Sequence, residues 1–508
     1  MRKKQNRKTG LTEIIFSLIV FLGVLCLFSA VWYRNVCGKV GFDAIVYTLF
    51  SNVGGAENSL VYSYIFTAVL PAVAVSAFMA ALIFYKGKRR IVLKTETQKK
   101  LCLFPLPKPF AAALSVVLSA LFILFAAVKV DLVGYLKYEA AESSGFIEEN
   151  YVSPKNVKIT FPAAKQNLIM IYLESIETSF LSADYKGGND VNPMPELCTL
   201  AAQNLNFSQN ETVGGFYSPV GTNWTIAAMV AMNAGIPLKM PFGVKRDEYG
   251  EKSFLPGAVT LSDILNKNGY YQAFMCGSEA TFGGREAFFL KHKTDDVFDL
   301  NTAKDEGIVP RKYHVWWGME DLYLFRYAKR KLTKIAKSGK PFAFSLITAD
   351  THHVGGYVCP KCKEDFSEQY ENVIACSSRQ VYEFVNWIKA QDFYENTTIV
   401  ICGDHPTMDG EFVADNLAEE YDRRVYNCFI NARRTAKSPK NRLFSSLDMF
   451  PTILAAMGCQ IEGDRLGLGV NLFSDKPTLS ETLSREAFDD ALSAKSDFYR
   501  EKLLRKPN

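Results

Sequence analysis

The sequence predicts an α/β protein in which about three N-terminal transmembrane helices precede a domain with a mainly parallel central sheet covered by helices. Three observations lead to this prediction. Three long apolar runs lie within the first 128 residues, strand-like and helical patterns alternate after residue 160, and several strands are too uniformly apolar for a sheet with one solvated face. Strands buried on both faces are typical of parallel sheets that carry helices on each side.

The composition excludes several classes of protein. The chain has 508 residues, of which 48% are hydrophobic and 22% are charged, with a net charge of +5. Disordered, collagen-like and disulfide-dense small proteins differ from this balance. Residues 1–108 contain 15 Lys and Arg against 4 Asp and Glu, whereas the remaining 400 residues contain 43 against 49. Because the excess of cations is confined to the N-terminal region, we expect no nucleic-acid partner.

The apolar runs at 14–33, 59–85 and 110–128 contain 20, 27 and 19 residues without a charge. About 20 residues cross the hydrocarbon core of a bilayer, so each run is long enough to span. We therefore predict a transmembrane anchor over residues 1–130. The short apolar stretch 42–50 is interpreted as an interfacial segment at the outer surface.

The basic residues of this anchor predict its orientation. They lie in two clusters, one before the first span and one between the second and third, namely Arg2, Lys3, Lys4, Arg7 and Lys8, and Lys86, Lys88, Arg89, Arg90, Lys94, Lys99, Lys100 and Lys108. Loops rich in Lys and Arg stay in the cytoplasm. The N-terminus is therefore expected inside, with 131–160 as a juxtamembrane linker and 161–508 as an extracytoplasmic domain.

Acidic and imidazole groups follow three of the predicted strands in this domain. We expect strands at 167–173, 271–275, 342–348, 397–402 and 427–430, with helices such as 225–233, 261–268, 322–335 and 377–389 between them. Glu174 follows the first strand, Asp404 and His405 follow the fourth, and His352 and His353 lie just after the third. Ligands bind at the carboxyl ends of strands in such folds. The coincidence at three strand ends predicts one site rather than three unrelated helix caps.

The segment 214–225, Gly-Gly-Phe-Tyr-Ser-Pro-Val-Gly-Thr-Asn-Trp-Thr, precedes an apolar helical run. Gly221 permits a tight turn, and Thr222 is expected at the N-terminus of a helix. The helix dipole and free N–H groups favour a phosphate or an ionising hydroxyl there. A threonine that only caps the helix is the alternative interpretation.

Together these motifs resemble the phosphoglycerol transferases of the alkaline phosphatase/sulfatase superfamily. The resemblance rests on Glu174, Gly-Thr-Asn-Trp-Thr at 221–225, Asp-Thr-His-His at 350–353 and Gly-Asp-His at 403–405. It covers roughly 165–475, includes Asp-Met-Phe-Pro-Thr at 448–452, and extends to lipoteichoic acid synthases and to the enzymes that modify periplasmic glucans.

The resemblance implies a divalent metal and a set of site residues. The implied metal ligands are Glu174, Thr222, Asp404 and His405, and the implied catalytic residues are Thr222 as the nucleophile with His352 or His353 as acid and base. Arg285, Trp224 and His352 are the implied substrate contacts. Carboxylate, hydroxyl and imidazole ligands favour Mn²⁺ or Mg²⁺, with Zn²⁺ less expected. Where the synthases have a Trp two residues before the matching Arg, this chain has Gly283, which puts the head-group contacts in question.

The implied activity is that of a multi-pass enzyme of the bacterial cell (inner) membrane. It would move glycerol phosphate from phosphatidylglycerol to an extracytoplasmic glycan or glycerol-phosphate polymer through a covalent intermediate on Thr222. A phosphoethanolamine transferase, or a phosphodiesterase or sulfatase-type hydrolase of the same superfamily, is the alternative. An inactive membrane-anchored binding module is a third possibility, which the intact metal-ligand pattern disfavours.

Two further features receive structural interpretations. Cys359, Cys362 and Cys376 are close in sequence, and in an oxidising compartment a disulfide between two of them is the leading prediction. A zinc site would need a fourth ligand that no nearby residue supplies. The aromatic cluster 313–317 is interpreted as packing rather than a sugar platform.

Overall fold

The computed structural model describes residues 2–38, 42–50, 58–85, 91–94, 100–104, 106–241, 249, 253–418 and 421–505. The chain divides into two compact units. The first comprises Met1–Phe42 and Glu57–Leu136, and the second comprises Asp43–Ala56 and Lys137–Asn508.

Three helices of the first unit are long and apolar enough to cross a membrane: Gly10–Val36, Leu60–Ile83 and Lys108–Lys129. This confirms the three predicted spans and indicates a membrane-anchored protein. The elements of this unit are the helices Arg2–Cys37, Asn58–Tyr64, Leu70–Ile83, Lys108–Lys129 and Leu132–Ala140, the π-helix Ile65–Val69, and the strands Ile91–Lys94 and Lys100–Phe104. The cations at 86–90 and Lys99, which contribute to the orientation argument, lie outside the described residues.

A seven-stranded sheet forms the centre of the second unit. Its strands, numbered along the chain, are β1 (Asn167–Leu173), β2 (Gly215–Phe216), β3 (Tyr271–Cys276), β4 (Asp296–Phe298), β5 (Phe342–Ile347), β6 (Thr397–Gly403) and β7 (Val425–Ile430). The order across the sheet is β2-β7-β6-β1-β5-β3-β4. The five strands from β6 to β4 are parallel, and β7 and β2 are added antiparallel at one side.

The two faces of β1 contribute to two separate hydrophobic clusters. Leu168, Met170 and Tyr172 pack into one cluster, whereas Ile169, Ile171 and Leu173 pack into the other. All seven residues of the strand are buried. This is the reason that its sequence is continuously apolar, and it confirms the predicted sheet with both faces covered.

Helices cover both faces of the sheet. They are Phe146–Asn150, Pro195–Gln203, Thr225–Ala234, Leu261–Lys267, Arg285–Lys291, Leu300–Asp305, Asp321–Ala336, Gln369–Lys389, Gly410–Asn416, Met449–Ala456, Leu479–Thr482 and Arg485–Ser493, with a π-helix at Tyr499–Leu503. Small antiparallel pairs join Ile159–Thr160 to Gln460–Ile461 and Arg465–Leu466 to Gly469–Val470. The predicted helix 377–389 begins eight residues earlier, at Gln369.

Two short segments differ from their predicted roles. Within the expected linker 131–160, Ile147 is buried in the core of the second unit and Ile159 pairs with Ile461. The interfacial segment Phe42–Phe50 is a helix whose Tyr47 is buried in the same core. The Ser and Gly residues near 143–145 suggest a linker, but the apolar residues that follow them anchor this part of the chain.

The predicted disulfide is absent from the structure. Cys359, Cys362 and Cys376 are all free cysteines. Cys376 lies in the first half of the helix Gln369–Lys389 and is buried there. The other two lie in the loop that follows β5.

Candidate active site

The carboxyl ends of β1 and β6 bring two carboxylates and one imidazole together. These strands are parallel neighbours, and Leu173 pairs with Gly403, so Glu174 and Asp404 are the next residues on each strand. His405 Nε2 lies 3.3 Å from Asp404 Oδ2 and 3.5 Å from Glu174 Oε1. Each of the three side chains is at most 4% exposed. The predicted meeting of strand ends therefore holds for these three residues.

Backbone groups hold Asp404 in place and leave one of its oxygens free for a ligand. Its Oδ1 accepts hydrogen bonds from the N–H groups of Ser175 and His405, both at 2.8 Å. Its Oδ2 is buried and accepts no hydrogen bond. Burial, reinforced by the negative charge of Glu174, raises the pKa of the Asp404 carboxyl to about 7.

The ring of His405 is oriented for use of its Nε2 atom. Nδ1 lies 2.9 Å from the carbonyl oxygen of Pro406, which fixes the proton on Nδ1 and leaves the Nε2 lone pair toward the carboxylates. Burial alone would lower the pKa of His405, but the charges of Asp404 and Glu174 raise it above its usual value. The cluster thus has an unbalanced excess of negative charge.

This donor set fits a divalent cation. Ligand atoms of Glu174, Asp404 and His405 all lie within 4.8 Å of one another. The unpaired Asp404 Oδ2 is a buried polar atom of the kind that a cation satisfies. Two carboxylates and one imidazole suit Mg²⁺, Mn²⁺ or Zn²⁺, and the geometry alone does not select among them.

The structure does not bring Thr222 to this cluster. Its Oγ1 donates to the carbonyl oxygen of Pro219 at 2.8 Å and accepts from Ser446 Oγ at 2.9 Å, with Ser218 Oγ at 3.1 Å. None of these three partners belongs to the cluster. Thr222 is completely buried and is therefore placed as a structural hydroxyl of the turn around Gly221, whose φ is +79°.

The hydroxyl that does reach the cluster belongs to Thr225. Its Oγ1 lies 3.4 Å from His405 Nε2 and 3.5 Å from Glu174 Oε2. Thr225 is the first residue of the helix Thr225–Ala234, whose N-cap is Trp224. Thr225 therefore lies at the positive end of the helix dipole. Thr222 does not, because it lies two residues before the N-cap.

His352 and His353 occupy the end of β5 near the same cluster. His352 Nδ1 lies 2.7 Å from the carbonyl oxygen of His353, so its Nε2 is the atom available to a ligand. Burial lowers the pKa of His352, and the positive charges of His405 and Arg285 lower it further. Burial and its two imidazole neighbours hold the pKa of His353 well below its usual value, so both rings are neutral at pH 7.

Arg285 lies at the edge of this arrangement, in the turn that follows β3. Its Nη2 donates to Ser278 Oγ at 2.9 Å and to the carbonyl oxygen of Glu279 at 3.0 Å, and its Nε donates to the carbonyl oxygen of Phe282. These bonds make Arg285 a fixed, mostly buried cation rather than a surface charge. Its positive charge lowers the pKa of His352, which indicates that the two groups are close enough to interact electrostatically.

Two tryptophans, Trp224 and Trp317, lie next to residues of the site. Trp224 is half-buried, packs against the core, and has an indole N–H without a hydrogen-bond partner. Trp317 was grouped with packing residues in the sequence, and it is indeed buried. However, its ring centroid lies 4.6 Å from that of His352 and 5.2 Å from that of Phe282, so it connects the β5 and β3 tips. No local sequence pattern marks this contact.

Comparison with known proteins places this fold and site in a family. The sulfatase family model matches residues 166–459, which is more than half of the chain. The chain therefore belongs to the sulfatase family. The matched range includes all of the site residues described above.

The chain is also similar to curated proteins named phosphoglycerol transferase I. The protein from Citrobacter koseri is 28% identical over 496 residues, which cover 95% of this chain and 60% of that protein. The protein from Xanthomonas campestris pv. campestris is 31% identical over 338 residues, which cover 64% of this chain and 45% of that protein. The chain thus spans about half the length of the curated relatives it matches.

A solved structure supports the fold. The lipoteichoic acid synthase LtaP from Listeria monocytogenes is 20% identical, with a TM-score of 0.50 over 65% of this chain and 82% of that one. At this identity the likeness concerns the architecture alone. It confirms the predicted sulfatase-like α/β domain.

Proposed function

We propose that this protein is a membrane-anchored phosphoglycerol transferase. It takes glycerol phosphate from phosphatidylglycerol and transfers it to a glycan or glycerol-phosphate polymer outside the cytoplasm of a bacterial cell. The similarity to phosphoglycerol transferase I supports the reaction class. The three apolar helices support a lipid substrate, because they anchor the enzyme to the membrane that contains it.

One observation carries the proposal, namely the approach of the Thr225 hydroxyl to Glu174 and His405 at a helix N-terminus. Glu174, Asp404 and His405 would hold one divalent cation, Mn²⁺ or Mg²⁺, and this cation would lower the pKa of the Thr225 hydroxyl and stabilise negative charge on the phosphate. Thr225 replaces Thr222 as our proposed nucleophile, because the hydrogen bonds of Thr222 are made to Pro219, Ser218 and Ser446.

The first half of the reaction forms a glycerophosphoryl-threonine. Thr225 Oγ1 loses its proton to solvent and attacks the phosphorus of phosphatidylglycerol, and the bond between phosphorus and the diacylglycerol oxygen breaks. The departing oxygen takes a proton from His352 Nε2 in the protonated fraction of the enzyme, and diacylglycerol leaves. Arg285 binds phosphate oxygens and orients the donor, because its guanidinium is held by three hydrogen bonds in the turn after β3.

The second half regenerates the enzyme. A hydroxyl of the acceptor attacks the phosphorus of the intermediate while His352 Nε2 takes its proton. The bond between phosphorus and Thr225 Oγ1 breaks, and Thr225 Oγ1 takes a proton from solvent, which restores its hydroxyl. His353 is fully buried beside His352, with ring centroids 4.3 Å apart, and supports the position of that ring.

The experiment that tests the proposal measures diacylglycerol release by the full chain in vesicles of phosphatidylglycerol with Mn²⁺. We expect Thr225→Ala to abolish the release. Thr222→Ala should retain it and lower the stability of the fold, since removal of a buried hydroxyl costs about 1–2 kcal/mol of unfolding free energy. Thr225→Ser is the matched control, because it keeps a hydroxyl at the same position.

Two further outcomes separate the alternatives. Mass spectrometry of the unsubstituted protein incubated with phosphatidylglycerol in the absence of acceptor should show a glycerophosphate adduct on Thr225. The same adduct on Thr222, or full activity of Thr225→Ala, would contradict the assignment of the nucleophile. Diacylglycerol release from phosphatidylethanolamine vesicles but not from phosphatidylglycerol would favour the phosphoethanolamine transferase.

A further inference from the structure

Three cysteine sulfurs converge in the second unit, outside the site described above. Cys359 Sγ lies 3.7 Å from Cys376 Sγ and 3.9 Å from Cys362 Sγ, and all three lie within 4.8 Å of one another. Cys359 and Cys376 are buried, and Cys362 is partly exposed. The loop after β5 therefore meets the helix Gln369–Lys389 through three thiols.

The spacing of these sulfurs fits a tetrahedral metal site. Two thiolates bound to one tetrahedral zinc at about 2.3 Å lie about 3.8 Å apart. The distances from Cys359 Sγ to the sulfurs of Cys376 and Cys362 are 3.7 and 3.9 Å. Sulfurs joined in a disulfide are about 2.05 Å apart. We propose that Cys359, Cys362 and Cys376 bind a thiophilic divalent cation, with zinc as the expected metal.

One hydrogen-bond donor faces the cluster, as outer donors face metal-bound thiolates. Gln380 Nε2 points at two sulfurs, 3.5 Å from Cys376 Sγ and 3.8 Å from Cys359 Sγ. Such outer donors orient metal ligands and neutralise part of their charge.

Three thiolates leave one coordination position for another ligand. Among the described residues, no fourth His, Cys, Asp or Glu joins the group. A water molecule at the partly exposed Cys362 side completes four-coordination, as in zinc sites with three protein ligands. A bound metal would join the loop that carries His352 and His353 to the helix behind it.

The first test measures metal content in the full chain, purified in detergent without reductant. The Asp404→Asn background is used, so that the carboxylate cluster does not contribute zinc. After incubation with Zn²⁺ and desalting, we expect about one zinc per chain. Cys376→Ser should lose this zinc. Cys198→Ser is the matched control and should keep it, because Cys198 is an equally buried cysteine outside the cluster.

The second test uses the unsubstituted protein and does not depend on the folding of a variant. Co²⁺ bound in place of zinc should show thiolate charge-transfer absorption in the near ultraviolet, and Zn²⁺ should protect three thiols from alkylation until a chelator is added. Three thiols that react equally with and without Zn²⁺ would overturn the proposal. A Cys359–Cys376 disulfide in peptides of the protein purified without reductant would also overturn it, in favour of the covalent alternative.

Discussion

Asp404 is a single residue that favours ligand binding and destabilises the ligand-free fold. One of its carboxylate oxygens accepts two backbone hydrogen bonds, and the other is buried without a partner beside Glu174. Burial beside Glu174 destabilises the negative charge of Asp404, and the pKa of its carboxyl is therefore raised to about 7. A cation at the cluster would remove this destabilisation. The same residue therefore links metal binding to the stability of the fold.

We predict that Asp404→Asn stabilises the metal-free protein and abolishes stabilisation by Mn²⁺. The asparagine Oδ1 can still accept from Ser175 and His405, and the buried negative charge of Asp404 next to Glu174 is removed. Each kcal/mol gained should raise the unfolding midpoint by about 1–2 °C, because an unfolding entropy of roughly 2.1 cal/mol/K per residue is summed over the whole second unit. Thermal unfolding in a chelator and with added Mn²⁺ measures both effects.

The pH dependence of stability gives a control for this prediction. The pKa of Asp404 is about 7 in the folded chain against an ordinary value of 3.8, so the folded state binds more protons between these values. Its stabilising contribution is present at low pH and is lost as the pH rises toward 7. Asp404→Asn should remove this part of the slope. An unchanged slope in the variant would contradict the assignment.

A second residue-scale prediction concerns His352 and Arg285. Burial and then the charges of His405 and Arg285 lower the pKa of His352. If protonated His352 assists departure of diacylglycerol, the single-turnover rate should fall at high pH with an apparent pKa below 6.5. Arg285→Gln removes one positive charge, so the pKa of His352 should rise. The pH at which the single-turnover rate falls should then move to higher pH as well.

The control for the shift is Arg326→Gln, which removes an equal charge from the exposed side of the helix Asp321–Ala336. Arg326→Gln should leave the pH at which the single-turnover rate falls unchanged. A shift that is equal in both variants would reflect net charge alone. A shift to lower pH in Arg285→Gln would show that the arginine does not act on His352.

At the scale of elements, the strand ends bring the site together, and the short helix Phe42–Phe50 supports one part of it. Tyr47 donates its hydroxyl proton to the carbonyl oxygen of Gly283 at 2.7 Å. Gly284 has a φ of +74°, and a Cβ there would collide with the Tyr47 hydroxyl. The turn that carries Arg285 is thus packed against this helix.

We predict that Tyr47→Phe raises KM for phosphatidylglycerol several-fold with a smaller change in kcat, because the Arg285 turn loses a hydrogen bond of about 1 kcal/mol. Tyr270→Phe is the matched control. It removes the same kind of bond, from a tyrosine hydroxyl to the carbonyl oxygen of Gln166, at the amino end of β1. Both variants should lose similar stability. Equal KM values in the two variants would exclude a positioning role for Tyr47.

Helices and strands with a long run of regularly spaced or continuous apolar residues were predictable from the sequence. Contacts between elements that are distant in the sequence were not. The bounds of β1 agree with the predicted 167–173, because seven consecutive buried residues leave a clear apolar run. β2 and β4 have only two and three residues, too few to show any period. Trp317 meets His352 only because two loops fold against each other.

The choice between the two threonines shows a different limit. The helical pattern was predicted to begin at residue 225, which the structure confirms. Gly221 nevertheless suggests a turn that ends at Thr222, so the sequence favours Thr222 as the residue at the helix N-terminus, three residues too early. Side-chain partners decide the question, and these depend on residues as distant as Ser446. The sequence alone does not show that Ser446 lies next to Thr222, because the two residues are brought together only by the fold.

At the scale of the whole molecule, the uneven charge of the chain has a functional meaning. The N-terminal 108 residues carry a balance of +11, and the rest carries −6. The basic excess belongs to the anchor and the acidic excess to the sulfatase-family domain. The proposed donor lipid, if taken from the outer leaflet, would require that this domain lie on the same side of the membrane. The distribution of Lys and Arg supports that arrangement.

We therefore predict that the N-terminus is cytoplasmic and the C-terminus external. In intact spheroplasts, added protease should remove an epitope tag fused after residue 508 and leave a tag fused before residue 1. Both tags should be lost after permeabilisation, which controls for protease access. Replacement of the five cations before residue 9 by glutamine should weaken the preference, because the positive-inside bias is reduced. Loss of the N-terminal tag alone in intact spheroplasts would reverse the topology and place the site away from the proposed donor.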